Sequence, residues 1–191
     1  MMKVIRFNLI HYSMREHYEK LKNAKLLIFD FDGVMSDGGI YINNQGDSFR
    51  KLDVKDGLGI KLLQSEGIKI AIISGSSSQT IDIRAKSLEI NIIRTGIANK
   101  LMELKNIQKT LKIKKDETIY LGDDINDLCV KNDVSLFAVP SDAHDACKEK
   151  ANFISQKLGG KGFIREMADN ILISKGKNPF KPFLTRNDYG I

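Results

Sequence analysis

Asp30 and Asp32 stand one residue apart in LLIFDFDG, and Asp123, Asp124 and Asp127 crowd together in YLGDDINDL. Side chains on alternate residues of an extended chain project to the same side, so the first pair sets two like charges together unless something positive lies between them. A hard divalent cation such as Mg²⁺, bound through oxygen, is the simplest such partner. Gly33 lets the backbone turn tightly beside the pair. Two further segments carry anion-binding chemistry. SGSSS offers the Ser74 hydroxyl and then the amides of Gly75 and Ser76 leading into a helix N-terminus, which favours negative charge. TGIANK puts Lys100 in the first turn of a helix, where the macrodipole disfavours a cation, so a functional partner for its ammonium is expected.

Each of these groups follows a strand-like apolar run. The runs are KLLIF at 25–29, KIAII at 69–73, NII at 91–93, TIYL at 118–121 and VSLFAV at 134–139. Amphipathic stretches near 57–65, 79–88, 99–111, 143–150 and 162–172 lie between and after them. This alternation predicts an α/β fold: a Rossmann-like parallel sheet with helices on both faces. Ligands of such sheets bind outside the carboxyl ends of the strands, where all four groups are expected. Residues 39–54 break the alternation and read as two short strands around a turn at 44–46, a small β-hairpin flap after the first strand. A calcium loop of the EF-hand type is disfavoured, because it wants Gly at its sixth position and Glu at its twelfth, whereas Gly33 is fourth and Tyr41 twelfth.

The chain has 191 residues, enough for one domain with a substantial core. Its formal charge of +6 suggests nucleic acid until it is located: residues 1–23 and 174–191 each contribute +3, and the interior holds 21 charges of each sign. A basic groove built into the fold is therefore not expected, and neither is nucleic-acid binding. The division expected is a basic N-terminal extension at 1–23, in which Met14 offers an alternative start, a catalytic domain at 24–173, and a tail at 174–191 containing Pro179 and Pro182. Cys129 and Cys147 follow no metal-ligand spacing and suit a reducing compartment. Without a membrane-length apolar run or signal-peptide features, a cytoplasmic protein with no membrane insertion is expected.

The ordered set DxD, Ser, Lys, GDDxxD resembles the haloacid dehalogenase superfamily over roughly residues 24–173. The resemblance implies phosphoryl transfer through an aspartyl-phosphate. By position it makes Asp30 the nucleophile and Asp32 the general acid and base. It implies Mg²⁺ held by the Asp30 carboxylate, the Asp32 carbonyl and Asp123, with Asp124 and Asp127 behind them, Asp127 rather as a brace than a ligand. Ser74 and Lys100 would hold phosphoryl oxygens.

VKDGLGIKLLQSEGIKIAIISG, DAHDACKEKANFI and GGKGFIRE are further similar to the capless members that act on eight-carbon and nine-carbon keto-deoxy sugar acid phosphates. That implies an octulosonate 8-phosphate as substrate, serving lipopolysaccharide precursor synthesis, with a nonulosonate 9-phosphate as the alternative. It also implies a homotetramer whose hairpins assemble together. Gly33, Asp56, Gly75, Ser76, Arg84, Lys100 and Arg165 would then face the substrate, the two arginines as partners for its carboxylate. Asp56 has a second reading, as cap of the helix that begins GLGIK. The family usually carries Arg or Glu after ISG, where this chain has Ser76, and Arg where it has Lys161, so the sugar stays open. A phospho-accepting signalling receiver is the rival of another class; in receivers the acidic pair comes early in the chain, whereas here GDD comes last.

Overall fold

The computed structural model describes residues 17–179; Met14, Pro182 and the outer parts of both end segments lie outside the described residues. Six parallel strands form the central sheet: β1 (Leu26–Phe29), β4 (Lys69–Ile73), β5 (Ile92–Arg94), β6 (Thr118–Leu121), β7 (Leu136–Val139) and β8 (Phe153–Ile154). Their order is β5-β4-β1-β6-β7-β8, with Phe29 level with Ile72 on one side and Leu121 on the other. β1 is thus central, and the chain crosses from one half of the sheet to the other beside it, the position where open α/β sheets leave a crevice.

The period of two along each strand divides the core. Leu27, Phe29, Ile70, Ile72, Ile119 and Leu121 face one layer, while Leu26, Ile28, Ala71, Ile73 and Tyr120 face the other. On the first face pack α1 (Tyr18–Asn23), α2 (Val54–Ser65), α3 (Gln79–Ser87) and α6 (Phe163–Ser174), through Leu21, Ile60, Leu63, Ile81, Met167 and Ile171. On the second pack α4 (Lys100–Leu111), a 3-10 run at Ile125–Asp133 and α5 (Asp145–Lys150), through Leu104, Ile107, Val130 and Cys147. Fully burying each of these large side chains stabilises the fold by about 1.5–3 kcal/mol, so strands covered on both faces read as unbroken apolar runs.

The expected α/β class is the observed one, and the hairpin is present as β2 (Tyr41–Ile42) paired antiparallel with β3 (Ser48–Phe49). Two elements escape the sequence pattern. α1 lies before the expected start at residue 24, yet Leu21 is fully buried against the core because the helix rests beside α6. β8 is only two residues long, too short to show a period. Just past the expected boundary at 174, Lys175 Nζ donates to the Lys22 carbonyl and Lys177 pairs with Glu66.

Candidate active site

β1 delivers Asp30 to the carboxyl edge of the sheet, where the chain enters a tight turn over Phe31–Met35. Phe31 N donates to Asp30 Oδ1 at 2.6 Å, which fixes the carboxylate plane. Gly33 has φ of +82°, and a Cβ there would lie 2.0 Å from Asp123 Oδ2. No other residue fits both the conformation and the space. The GGKG segment supports this turn from behind: a Cβ on Gly159 would lie 1.8 Å from the Gly33 carbonyl oxygen, and Gly160 N donates to the Val34 carbonyl.

β6 delivers the second acidic group. Asp127, wholly buried, accepts four hydrogen bonds: Lys100 Nζ and Tyr120 Oη on Oδ1 at 2.7 Å each, and the amides of Asp123 and Asp124 on Oδ2 at 3.0 and 3.4 Å. It therefore shapes the loop that presents Asp123. Lys100 Nζ also donates to Asp30 Oδ2 at 2.7 Å. Two carboxylates thus offset the poor placement of a cation at the start of α4. Burial alone would lower the Lys100 ammonium, but Asp127 and Asp30 outweigh it and hold it above its ordinary value.

Asp30, Asp123 and Asp127 each bring one carboxylate oxygen within 4.8 Å of the others. Burial, then the charge of Asp127, pushes Asp30 up to about 6 despite Lys100. Burial, then Asp127 and Asp30, pushes Asp123 up to about 8. Two buried carboxylates and the half-buried Asp123 against one ammonium leave, when ionised, an excess of two negative charges, which one divalent cation would neutralise. Asp123 Oδ1 is buried with no hydrogen-bond partner among the described residues, and an all-oxygen donor set suits Mg²⁺. The residues present fit the ion.

A cavity of about 310 Å³ opens over this cluster, lined by Asp30, Asp32, Gly33, Ser74, Ser76 and Asp123 among others. Gly75 and Asp124 also line it. The loops after β4 and β5 are tied together by Ser74 N on the Arg94 carbonyl and Ile97 N on the Ser74 carbonyl, and Ser74 Oγ accepts from Ser76 N at 3.1 Å. Asp32 is gripped by Arg50, whose Nε donates to Oδ1 at 2.7 Å and Nη2 to Oδ2 at 3.3 Å. Arg50 and the cavity residue Asn126 were not expected from the sequence. Arg50 lies 18 residues from Asp32 and no local pattern marks it.

Four expected substrate contacts do not line the cavity: Lys100 lies beneath it on Asp30 and Asp127, and Asp56, Arg84 and Arg165 lie elsewhere. Asp56 is fully buried and neither lines the cavity nor caps its own helix, where Asp53 accepts from Lys55 N. It accepts instead from Gly162 N and Arg165 N at 3.1 and 2.8 Å, capping α6 from across the molecule. Burial pushes Asp56 up to about 6, with those amides opposing. Arg165 points along α6 to Asp169, Nε to Oδ1 at 2.8 Å. Arg84 lies over α2, where a Cβ on Gly57 would meet its Nη2 at 2.5 Å. Asp124 is exposed and caps the 3-10 run by accepting from Ile125 N.

A parallel sheet that gathers a carboxylate, a hydroxyl, an ammonium and a second acidic loop at one edge has the groups of a phosphoryl-transfer site on an α/β fold. Residues 79–166 match the haloacid dehalogenase-like hydrolases, and the chain belongs to that family. It is 37% identical over 159 residues, 83% of this chain and 85% of the relative, to the 3-deoxy-D-manno-octulosonate 8-phosphate phosphatase KdsC of Yersinia pestis. The crystal structure of the corresponding phosphatase from Moraxella catarrhalis, in complex with magnesium ion, phosphate ion and KDO, is similar with a TM-score of 0.84 and 36% identity, covering 90% of this chain and 97% of that one. The cobalt-bound phosphatase of Haemophilus influenzae has a TM-score of 0.82 at 32% identity, covering 87% and 99%.

Proposed function

We propose that this chain is a Mg²⁺-dependent phosphomonoesterase that hydrolyses 3-deoxy-D-manno-octulosonate 8-phosphate to the sugar acid and phosphate, a step toward lipopolysaccharide precursors. The observation that carries the reading is the meeting of the buried Asp30, Lys100 and Asp127 with the half-buried Asp123 beneath one open cavity. The named activity of the relatives supports the substrate.

Asp30, Asp123 and the Asp32 carbonyl are the groups that would hold Mg²⁺. When bound, the ion supplies charge neutralisation that lets a carboxylate approach an anionic phosphate ester. Asp30 attacks phosphorus through one oxygen of the carboxylate that Phe31 N and Lys100 hold in place. The bond from phosphorus to the sugar oxygen breaks, and Asp32 gives that oxygen its proton. Asp32 then takes a proton from water as the water attacks the phosphorus of the aspartyl-phosphate, which releases phosphate and restores Asp30. Lys100 and the Ser74 hydroxyl balance charge on the phosphoryl oxygens. Gly75 and Ser76 line the same wall.

Ser76 is a short, neutral wall residue, and this favours a bulkier nonulosonate 9-phosphate as second reading. Phosphate release from octulosonate 8-phosphate, nonulosonate 9-phosphates and hexose phosphates, with and without Mg²⁺, tests both. Much faster release from the octulosonate ester is expected, and equal rates across the panel would refute the assignment. A signalling receiver would instead keep its phosphoryl group and release little phosphate from an aryl ester.

The proposal includes a homotetramer assembled through the hairpin. The exposed apolar side chains of Ile40, Tyr41, Ile42 and Phe49, with Ile42 71% exposed, support a partner surface there. A cytoplasmic location is supported by two free thiols. Among the described residues no helix is long and apolar enough to cross a membrane.

A further inference from the structure

Arg50 follows β3 directly, and its side chain is only 4% exposed. Its guanidinium makes four hydrogen bonds: Nε and Nη2 to the two oxygens of Asp32, Nη2 to Ser76 Oγ at 3.2 Å, and Nη1 to Ser78 Oγ at 2.9 Å. Ser36 Oγ completes the set around Asp32 by donating to Oδ1 at 3.3 Å. Asp32 and Ser76 line the cavity, and Ser78 caps α3 by accepting from Thr80 N. One planar fork therefore joins the turn after β1, the loop after β4 and the hairpin. A fork that holds both oxygens of a carboxylate fixes its plane as well as its position, which a lysine ammonium does not.

We propose that Arg50 is a positioning residue that acts through Asp32, aiming the carboxyl group that exchanges a proton with the leaving oxygen and linking the set of the hairpin to that exchange. The proposal rests on the phosphatase reading above. A well-placed acid matters in proportion to how badly the leaving group needs a proton. A sugar alkoxide needs one, whereas a nitrophenolate leaves without it. A clasp that only held the loops together would affect both esters alike. A guanidinium that bound the sugar carboxylate itself would change KM for the sugar acid and leave kcat in place.

The experiment compares the parent with Arg50→Ala and Arg50→Lys on octulosonate 8-phosphate and on para-nitrophenyl phosphate, both with Mg²⁺. For Arg50→Ala, kcat on the sugar ester is expected to fall about 100-fold, the lower end of what a positioned proton donor contributes. On the aryl ester the change stays under about threefold by the same reasoning. Arg50→Lys, which keeps the charge and loses the fork, shows the same leaving-group dependence. Should Arg50→Ala not fold, Ser78→Gly loosens the fork from outside the cavity at little cost to the helix cap, and a deficit confined to the sugar ester is again expected. Equal losses on both esters, a change confined to KM for the sugar acid, or full rescue by lysine overturns the proposal. A parent that hydrolyses neither ester overturns the phosphatase reading itself.

Discussion

Asp127→Asn is the substitution whose cost the geometry sets most directly. Oδ1 of Asp127 accepts from Lys100 and Tyr120, and Oδ2 from the amides of Asp123 and Asp124. An asparagine must turn its NH₂ toward one of these pairs, and either way it meets donors. With the NH₂ facing Lys100, a buried ammonium loses one of its two carboxylates; facing the loop, two amides lose their acceptor. Removing one partner of a buried ion pair costs about 3–5 kcal/mol. Relief of the repulsion that Asp127 exerts on Asp30 and Asp123 offsets part of it, which favours about 3 kcal/mol. At a urea slope of about 2 kcal/mol per molar, the unfolding midpoint falls by about 1.5 M. Urea unfolding followed by circular dichroism, in buffer free of divalent ions, measures this. Lys100→Met and the double variant close a cycle in which the two costs are strongly non-additive. A loss under about 1 kcal/mol for Asp127→Asn, or additivity in the cycle, would refute the view that this carboxylate braces the site.

Asp56 is raised from its ordinary 3.8 to about 6, so the folded state holds its proton more tightly than the unfolded chain does. Its contribution is therefore greatest at low pH, falls as pH rises between about 4 and 6, and is level above that, a span of about 3 kcal/mol. Asp56→Asn should remove that slope from the stability profile, and identical slopes in both proteins would count against the buried cap. Gly33→Ala forces a side chain onto Asp123 and into a left-handed backbone, costing about 1–2 kcal/mol of stability; Mg²⁺ titration should show a weakened midpoint for phosphate release, and an unchanged one would contradict the packing described. Phe49→Glu or Ile42→Glu places charge on the exposed hairpin faces and is expected to give a smaller species in sedimentation; an unchanged assembly would exclude the hairpin as the interface.

Asp30, Ser74 and Asp123 are legible in the sequence because each stands close after an apolar run, and a strand buried on both faces announces itself by composition; Lys100 is legible because a cation in the first turn of a helix is out of place. Asp127, expected as a brace rather than a ligand, shows the contacts of one only in the fold, where it accepts from Lys100, Tyr120 and two loop amides. What escaped depends on partners distant in the chain. Asp56 finds its amides 106 and 109 residues away on α6, so its own helix start could not reveal them. Arg50 stands beside Lys51 at the end of the hairpin and reads as an ordinary surface cation until Asp32, Ser76 and Ser78 are seen around it. Arg84 and Arg165 were expected in the cavity for their charge, but helix geometry turns one across Gly57 and the other along α6 to Asp169. GGKGFIRE, in which only Arg165 is expected to meet the substrate, packs its glycines at 159 and 160 on the turn that carries Gly33 and Val34.

The central claim is that the Asp30 carboxylate is transiently esterified by phosphorus. Acid quenching during the first turnover of octulosonate 8-phosphate with Mg²⁺, followed by mass analysis of peptides, should find a phosphoryl group on Asp30 in the parent and none in an inactive Asp30→Asn protein. Turnover with no phosphoryl group on that peptide at any quench time, or undiminished turnover by Asp30→Asn, would contradict it.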